Sequence, residues 1–211
     1  MRTYWVKTPA WLPKCFPKSL VWKMPPTPAV YLTFDDGPHP EATPFILDLL
    51  NKHHAKATFF CIGKNVALYP DLFQRIIDEG HTLGNHTYNH LNGWRNENNI
   101  YLQNILKAQK LIPSSLFRPP YGRIKLSQAR ILSNRKTPWT VYMWDVLSGD
   151  FDTTLSPQDC INNVIEHTEP GSIIVFHDSE KALPRMKVAL SALLEFCQQK
   201  NWEPKPLPTQ L

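Results

Sequence analysis

The chain has 211 residues, of which 42% are hydrophobic and 19% charged, values typical of a folded domain and not of a disordered chain. The 23 basic and 18 acidic side chains give a net charge of +5. They form no basic run of about five or more residues, the pattern of a nucleic-acid-binding tail, so no nucleic-acid partner is expected. No apolar stretch reaches the roughly 18 residues of a membrane span, so no transmembrane segment is predicted.

The ends of the chain are rich in proline. Eight of the 20 prolines fall within the first 40 residues and three within the last eight, which indicates extended terminal segments. We predict that residues 1–28 wrap the domain formed by residues 29–211 and carry no catalytic group. The large apolar side chains Trp5, Trp11, Phe16 and Trp22 would cover its surface or its open end. Docking to a membrane or to a partner is the alternative.

Neither the cysteines nor the N-terminus indicates secretion. Cys15, Cys61, Cys160 and Cys197 are widely spaced and form no C-x-x-C pair, so neither a zinc knuckle nor a redox motif is indicated. The number of cysteines by itself would still allow two disulfide bonds. The first nine residues lack the apolar core and small-residue cleavage site of a secretory signal. The cytoplasm is therefore the expected location, with peripheral or cell-envelope association as the alternative.

From residue 29 onward, short β-rich runs alternate with helical patterns. We predict strands at residues 29–34, 56–62, 81–84, 115–117, 140–144 and 172–176. We predict helices at residues 43–51, 70–79, 98–112, 126–133, 157–167 and 188–200. This alternation indicates a parallel sheet of six or seven strands. A closed or nearly closed (β/α) barrel fits it, and an open doubly wound sheet is the alternative.

The chemically capable residues follow the predicted strands. They are Asp35 with Asp36, His86, Arg118 with Tyr121, Asp150, and His177. Active sites of (β/α) barrels are built at the carboxyl ends of the strands, where one mouth collects all of these side chains. This placement favours the barrel over the open sheet.

Two short segments suggest a metal site. His86 and His90, four residues apart, can present both imidazoles to one ion if the segment takes a helical turn. Asp35 and Asp36 are adjacent carboxylates, and their negative charges repel each other. A metal ion bound to one of them would reduce this repulsion and leave the other carboxylate free to act as a base. Such a set keeps coordination positions open, as in a catalytic metal centre. Ordinary polar turns are the alternative for both segments.

Taken alone, two further residues are ambiguous. His177 follows an apolar strand, where a single histidine is usually structural. Arg118 precedes Pro119 and Pro120 and reads equally as a surface cation. The two prolines would hold rigidly whatever Tyr121 presents, including its backbone N–H.

Together, these segments resemble the polysaccharide deacetylases with a NodB-homology domain, carbohydrate esterase family 4. The resemblance covers residues 29–200 and rests on six segments in the family's order. They are Thr-Phe-Asp-Asp-Gly-Pro at 33–38, Ala-Thr-Phe-Phe-Cys-Ile-Gly at 57–63, Gly-His-Thr-Leu-Gly-Asn-His-Thr-Tyr-Asn-His at 80–90, Arg-Pro-Pro-Tyr-Gly at 118–122, Ser-Gly-Asp-Phe at 148–151 and Ile-Val-Phe-His-Asp at 174–178.

The resemblance implies a role for each site residue. Asp36, His86 and His90 correspond to the metal ligands, usually of zinc, with cobalt or nickel as alternatives. Asp35 corresponds to the general base and His177 to the general acid. The remaining correspondences are the oxyanion donor Tyr121 N–H, the orienting groups Arg118 and Asp150, and the acetyl-pocket residue Val175.

The resemblance also implies a distorted (β/α) barrel of seven or eight strands in a single domain, with residues 29–211 as its catalytic part. One departure concerns the substrate. The family's fourth motif commonly ends in Asp-Trp, and here it reads Asp150-Phe151, which keeps an aromatic wall but loses an indole N–H. Trp94 is a further candidate for contact with a sugar ring.

The reaction implied by the resemblance is hydrolysis of an N-acetyl amide on an amino-sugar polymer or oligosaccharide, of the peptidoglycan or chitooligosaccharide type. The same metal site would also serve an O-acetyl esterase acting on xylan, or a deformylase or cyclic amide hydrolase acting on a small molecule. A carbohydrate-binding domain without catalysis is the alternative outside enzymes. The joint presence of acid, base and ligands argues against it.

Overall fold

The computed structural model describes residues 4–134 and 138–209. Within these residues, nine strands form one sheet. The strands are β1 (Leu20–Val21), β2 (Ala29–Asp35), β3 (Thr58–Cys61), β4 (Thr82–Asn85), β5 (Leu116–Phe117), β6 (Thr140–Tyr142), β7 (Val146–Leu147), β8 (Ile173–His177) and β9 (Glu203–Lys205). Every pairing between these strands is parallel.

Seven α-helices accompany the strands of the described chain. They are α1 (Ala42–Lys52), α2 (Gly63–Leu68), α3 (Pro70–Asp78), α4 (Asn98–Gln109), α5 (Leu126–Ser133), α6 (Pro157–His167) and α7 (Leu183–Lys200). Where the chain is described, no helix combines the length and apolar composition needed to cross a bilayer.

The strand order is β1-β6-β5-β4-β3-β2-β8-β7, with β9 beside β2. The sheet curls so that the carboxyl ends of its strands face one mouth, as in (β/α) barrels. The predicted distorted barrel in a single domain is confirmed, and the open doubly wound sheet is not observed.

The side chains of β2 show how the sheet separates core from site. Val30, Leu32 and Phe34 belong to the apolar core between sheet and helices. The alternate residues Thr33 and Asp35 contact the Arg118 guanidinium instead. Successive strand side chains point to opposite faces, so one strand contributes to both the helix-side core and the polar interior that leads to the mouth.

The main strand order ends at β1 and β7, and the N-terminal segment passes from β7 to β1. Thr8 N–H donates to the Asp145 carbonyl at 2.8 Å, Leu147 N–H donates to the Val6 carbonyl at 2.8 Å, and Lys7 forms an antiparallel bridge with Val146. The chain then reaches β1, which pairs with β6. Residues 4–21 therefore run across the gap in the curled sheet.

Several elements escaped the sequence analysis. Strands β1, β7 and β9 and helix α2 were not predicted, and α7 begins at Leu183, five residues before the predicted start. Pro184 occupies the first turn of α7, where its missing N–H costs nothing. Of the cysteines, Cys15 is exposed and Cys61 and Cys197 are buried, and all three are free thiols.

Candidate active site

The mouth of the barrel opens into one cavity of about 700 Å³. Six residues predicted for the site line it: Asp35, Asp36, His86, His90, Tyr121 and His177. The other two, Arg118 and Asp150, are fully buried and contact lining residues from behind. The structure therefore brings all eight residues together.

Asp36, His86 and His90 form a cluster with one ligand atom from each within 4.8 Å of the others. Oδ1 of Asp36 lies 3.2 Å from Nε2 of His90 and 3.8 Å from Nε2 of His86. This oxygen is buried, and nothing in the described residues donates a hydrogen bond to it. A buried carboxylate oxygen without a donor is costly unless a cation binds it. One carboxylate and two imidazoles fit a divalent metal with open coordination positions.

The two histidines meet without the helical turn that was considered for their spacing. Residues 86–90 are not helical, and the φ angles of Thr87 and His90 are 64° and 56°. Left-handed backbone at such residues costs roughly 1–3 kcal/mol. Asn85 Oδ1 offsets this by accepting the Thr87 N–H, and Asn104 Oδ1 by accepting the next two backbone N–H groups.

His86 is oriented by the backbone of Arg118. Its Nδ1 lies 2.8 Å from the Arg118 carbonyl oxygen. A carbonyl only accepts, so Nδ1 carries the proton and the Nε2 lone pair faces Asp36. Burial, followed by the charge of His90, lowers the pKa of His86 well below its ordinary value, and burial also lowers the pKa of His90. Both rings are therefore neutral near pH 7, the form that binds metal.

Asp35 is held by an internal ion pair. Its Oδ1 lies 2.8 Å from Nη1 of Arg118, and the same nitrogen donates to Oγ1 of Thr33 at 2.6 Å. The rest of the guanidinium donates to the carbonyls of Tyr142 and Met143 at 3.2 and 2.9 Å. A buried ion pair is tolerated when its remaining donors are satisfied. Arg118 is thus an internal clamp, and the surface-cation alternative is wrong.

Asp178 ties the Asp35–Asp36 turn to β8, a role that the sequence analysis did not assign. Its Oδ1 accepts the Gly37 N–H at 2.7 Å, and Oγ1 of Thr43 lies 2.8 Å from its Oδ2. Burial raises the pKa of Asp178 to about 8. A Cβ at Gly37 would stand 1.7 Å from Oδ2 of Asp178, so only glycine fits there.

His177 and Asp150 form the second charge pair. Nδ1 of His177 lies 2.8 Å from Oδ1 of Asp150, and the His177 backbone N–H donates to Oδ2 at 2.8 Å. Burial alone would lower the pKa of His177, but the charge and hydrogen bond of Asp150 outweigh it and raise the pKa to about 9. Near neutral pH the ring is therefore protonated, and its Nε2 is left to serve a substrate.

Tyr121 sits in a fixed turn beside the metal cluster. Its φ is 61°, and the N–H groups of Gly122 and Arg123 donate to the carbonyls of Pro119 and Pro120 at 2.9 and 3.1 Å. The Tyr121 ring packs 4.5 Å from the His90 ring. The turn thus fixes the backbone conformation of Tyr121, and the ring contact keeps this residue beside the cluster.

The three residues predicted to contact substrate, Phe151, Val175 and Trp94, also line the cavity. Phe151 packs against His177 with ring centroids 5.1 Å apart, and Val175 is buried at the cavity wall. Trp94 is 58% exposed, with its Nε1–H donating to the Ile124 carbonyl at 3.1 Å.

The cavity also contains residues that sequence reasoning missed. Tyr4 and Leu12 of the N-terminal segment were not named from the sequence, and they line the cavity beside Trp5 and Phe16, which were predicted to cover the surface of the domain or its open end. Asp178 was visible as the neighbour of His177, but nothing in the pattern indicated its contact with Gly37.

Comparisons with known proteins agree with the site. A model of the family described as polysaccharide deacetylase matches residues 23–140. A chitooligosaccharide deacetylase of Bradyrhizobium sp. is 34% identical in an alignment of 200 residues that covers 86% of this chain and 90% of that protein. A peptidoglycan-N-acetylglucosamine deacetylase of Bacillus cereus is 37% identical in an alignment of 156 residues that covers 71% of this chain. The match spans only 56% of that relative's length.

A solved structure extends the agreement to the whole fold. The Bc1960 peptidoglycan N-acetylglucosamine deacetylase superposes with a TM-score of 0.87 at 31% identity, covering 97% of both chains.

Fold and site together define a class: a hydrolase whose metal-ligand cluster, buried carboxylate and charge-paired histidine meet at the mouth of a curled (β/α) barrel. The chain belongs to the polysaccharide deacetylase family, also called carbohydrate esterase family 4. The resemblance predicted from the six sequence segments is confirmed. Deacetylases of this family are metal-dependent, in keeping with the Asp36, His86 and His90 cluster.

Proposed function

We propose that this protein is a metal-dependent hydrolase that removes N-acetyl groups from an N-acetylated amino-sugar polymer or oligosaccharide. One observation carries the proposal. A metal-ligand cluster, the Asp35–Arg118 pair and the His177–Asp150 pair converge on a single cavity. The substrate class, of the peptidoglycan or chitooligosaccharide type, is supported by the names of the relatives.

We propose zinc as the working metal, with cobalt or nickel as alternatives, held by Asp36, His86 and His90. When bound, it supplies a Lewis acid that polarises the acetyl carbonyl and makes a water molecule more acidic. The two neutral imidazoles and the undonated Asp36 oxygen support this assignment.

Asp35 acts as the base in this mechanism. As the water oxygen bonds to the acetyl carbon, Asp35 takes the water's proton. Arg118 holds Oδ1 of Asp35, which orients the carboxylate and leaves Oδ2 as the proton acceptor. The carbonyl oxygen becomes an oxyanion, and in this proposal the Tyr121 N–H donates to it. One such donor is typically worth about 3 kcal/mol of transition-state stabilisation.

His177 completes the reaction as the acid. An amine leaves poorly as an anion, so Nε2 of His177 gives its proton to the nitrogen as the carbon–nitrogen bond breaks. The products are acetate and a free amino sugar. Asp150 holds the opposite ring nitrogen and favours the protonated ring, with a pKa of about 9.

The direct test is acetate release from N-acetylglucosamine oligomers, peptidoglycan and acetylated xylan, each with and without a chelator. We expect release from the amino-sugar substrates, its loss on chelation and its recovery on adding zinc. Release from acetylated xylan alone would replace the proposal with an O-acetyl esterase. Undiminished release after complete metal removal would contradict the metal assignment.

A further inference from the structure

Two tryptophans of the N-terminal segment are unusually exposed. Trp5 and Trp11 are 54% and 56% exposed, and their rings pack edge to face with centroids 6.0 Å apart. Indole rings are highly buried on average, and clustered exposed aromatics commonly mark a binding surface. Only Trp5 of the two lines the active-site cavity.

Trp5 is held in a defined position. The residues that follow it are anchored to β7, with Lys7 Nζ 2.8 Å from both Oδ2 of Asp145 and Oε1 of Glu169. Lys7 Nζ also donates to the His167 carbonyl at 2.9 Å. The backbone bonds of this segment to β7 add to these contacts. The Trp5 ring therefore belongs to a segment that is tethered to the edge of the sheet.

The position of Trp5 relates it to the leaving-group side of the reaction. The preceding residue, Tyr4, packs against Phe151 with ring centroids 5.1 Å apart, and Phe151 packs against His177 at the same distance. His177 must meet the departing nitrogen, and that nitrogen is attached to the sugar. Phe151, Tyr4 and Trp5 all line the cavity, so we expect the sugar chain attached to that nitrogen on their side.

We propose that Trp5 is the stacking platform of a second sugar subsite, which holds a pyranose unit adjacent to the one that is deacetylated. A pyranose has an apolar C–H face that packs on an aromatic ring while its hydroxyls stay in water. The half-exposed indole of Trp5 offers such a face at the edge of the cavity. This inference rests on the proposed function and adds to it a preference for longer oligomers.

The test compares two substrates in the wild type, Trp5→Ala and Trp5→Phe. On the pentamer of N-acetylglucosamine, Trp5→Ala should lower kcat/KM about tenfold, mainly through KM, because one aromatic contact is lost. On the N-acetylglucosamine monomer, which has no adjacent sugar unit to place on Trp5, the change should stay within about twofold. Trp5→Phe keeps an aromatic face and should recover most of the loss. Leu68→Ala, equally exposed on α2 but outside the cavity, is the matched control.

Binding of the pentamer, measured by calorimetry, separates this inference from the proposed function because it needs no turnover. Weaker pentamer binding in Trp5→Ala, with Leu68→Ala unaffected, would support the subsite. Equal losses on monomer and pentamer, or unchanged pentamer binding and kinetics, would overturn it. Unchanged values are also what a membrane or protein partner for Trp5 predicts. Failure of the wild type to release acetate would contradict the proposed function, and the binding measurement would still show whether Trp5 forms the second subsite.

Discussion

The inner half of the cavity and its rim are built in opposite ways. In the inner half, Asp35, His86 and Arg118 are buried and joined by hydrogen bonds. The Arg118 guanidinium donates to the Asp35 carboxylate, and the Arg118 carbonyl accepts a hydrogen bond from the His86 ring. At the rim, Trp5 and Trp94 are more than half exposed. The inner half is a polar network in a low-dielectric interior, whereas the rim is an aromatic surface in contact with water.

The difference indicates how the two halves respond to change. In a buried network, the loss of one member leaves its partners without hydrogen bonds, so each substitution carries a large cost. An exposed aromatic ring leaves no such orphaned group behind. We therefore expect the chemistry to depend on the inner half and the choice of substrate on the rim.

The largest effect is expected inside the inner half. Asp35→Asn keeps the shape of the side chain and removes its basicity, so acetate release should fall by at least about 10²-fold. Metal content, measured by elemental analysis, should stay near that of the wild type. His86→Ala should instead lose most of the metal together with the activity.

This pair of variants separates the base from the ligands. Metal loss in Asp35→Asn in parallel with activity would mean that the roles of Asp35 and Asp36 are exchanged. Full metal retention in His86→Ala would contradict the assigned ligand cluster.

The next effect concerns stability. Arg118→Met keeps most of the side-chain volume but leaves Asp35 buried without its partner, which should lower the free energy of unfolding by about 3–5 kcal/mol. Urea unfolding measures this loss. Arg130→Met, at an exposed position on α5, is the matched control and should change stability by less than about 0.5 kcal/mol. A loss as small as the control's would mean that the buried pair contributes little.

The sequence predicted the long elements of the fold well because they carry enough residues for a periodic pattern. Helix α6 was predicted at its observed bounds, Pro157–His167. Strands β1 and β7 have two residues each, too few to show alternation. Strand β9 contains Pro204, and a proline within a short segment argues against predicting a strand there from the sequence.

The site was predicted to a similar extent and for a similar reason. Short motifs placed the chemical groups at strand ends, and the curled sheet brings those ends together. The motifs gave no information about backbone conformation, such as the left-handed φ of His90. They also lacked contacts between distant segments, such as Asp178 with Gly37 and Trp5 with the cavity, which depend on how the whole chain packs.

A smaller effect is expected where the inner half meets substrate. The proposed mechanism requires protonated His177, whose pKa Asp150 raises to about 9, so the rate should fall as the pH rises through that value. Asp150→Asn removes the negative charge and lowers this pKa. The alkaline limb of the pH–rate profile should therefore move down by at least about one pH unit, with a lower maximum rate.

Stability gives a second readout of the same pair. Because the pKa of His177 is raised from its ordinary 6.5 to about 9, its contribution is fully present below pH 6.5 and lost as the pH rises towards 9. The stability difference between wild type and Asp150→Asn should shrink over this window.

If the alkaline limb of the pH–rate profile does not move in Asp150→Asn, His177 is not the leaving-group acid.

The smallest effect is expected at the rim. Trp94→Ala removes an exposed ring whose Nε1–H donates to the Ile124 carbonyl and whose centroid lies 5.3 Å from the Arg123 guanidinium. The KM for an N-acetylglucosamine oligomer should rise about threefold with kcat unchanged, since an exposed aromatic contact contributes roughly 0.5–1 kcal/mol. Trp94→Phe keeps the aromatic face and loses only the N–H, so its KM should lie closer to that of the wild type. A fall in kcat of about tenfold at constant KM would correspond to a loss of about 1.4 kcal/mol of stabilisation in the transition state alone. That result would group Trp94 with the inner half of the cavity and contradict the contrast between the inner half and the rim.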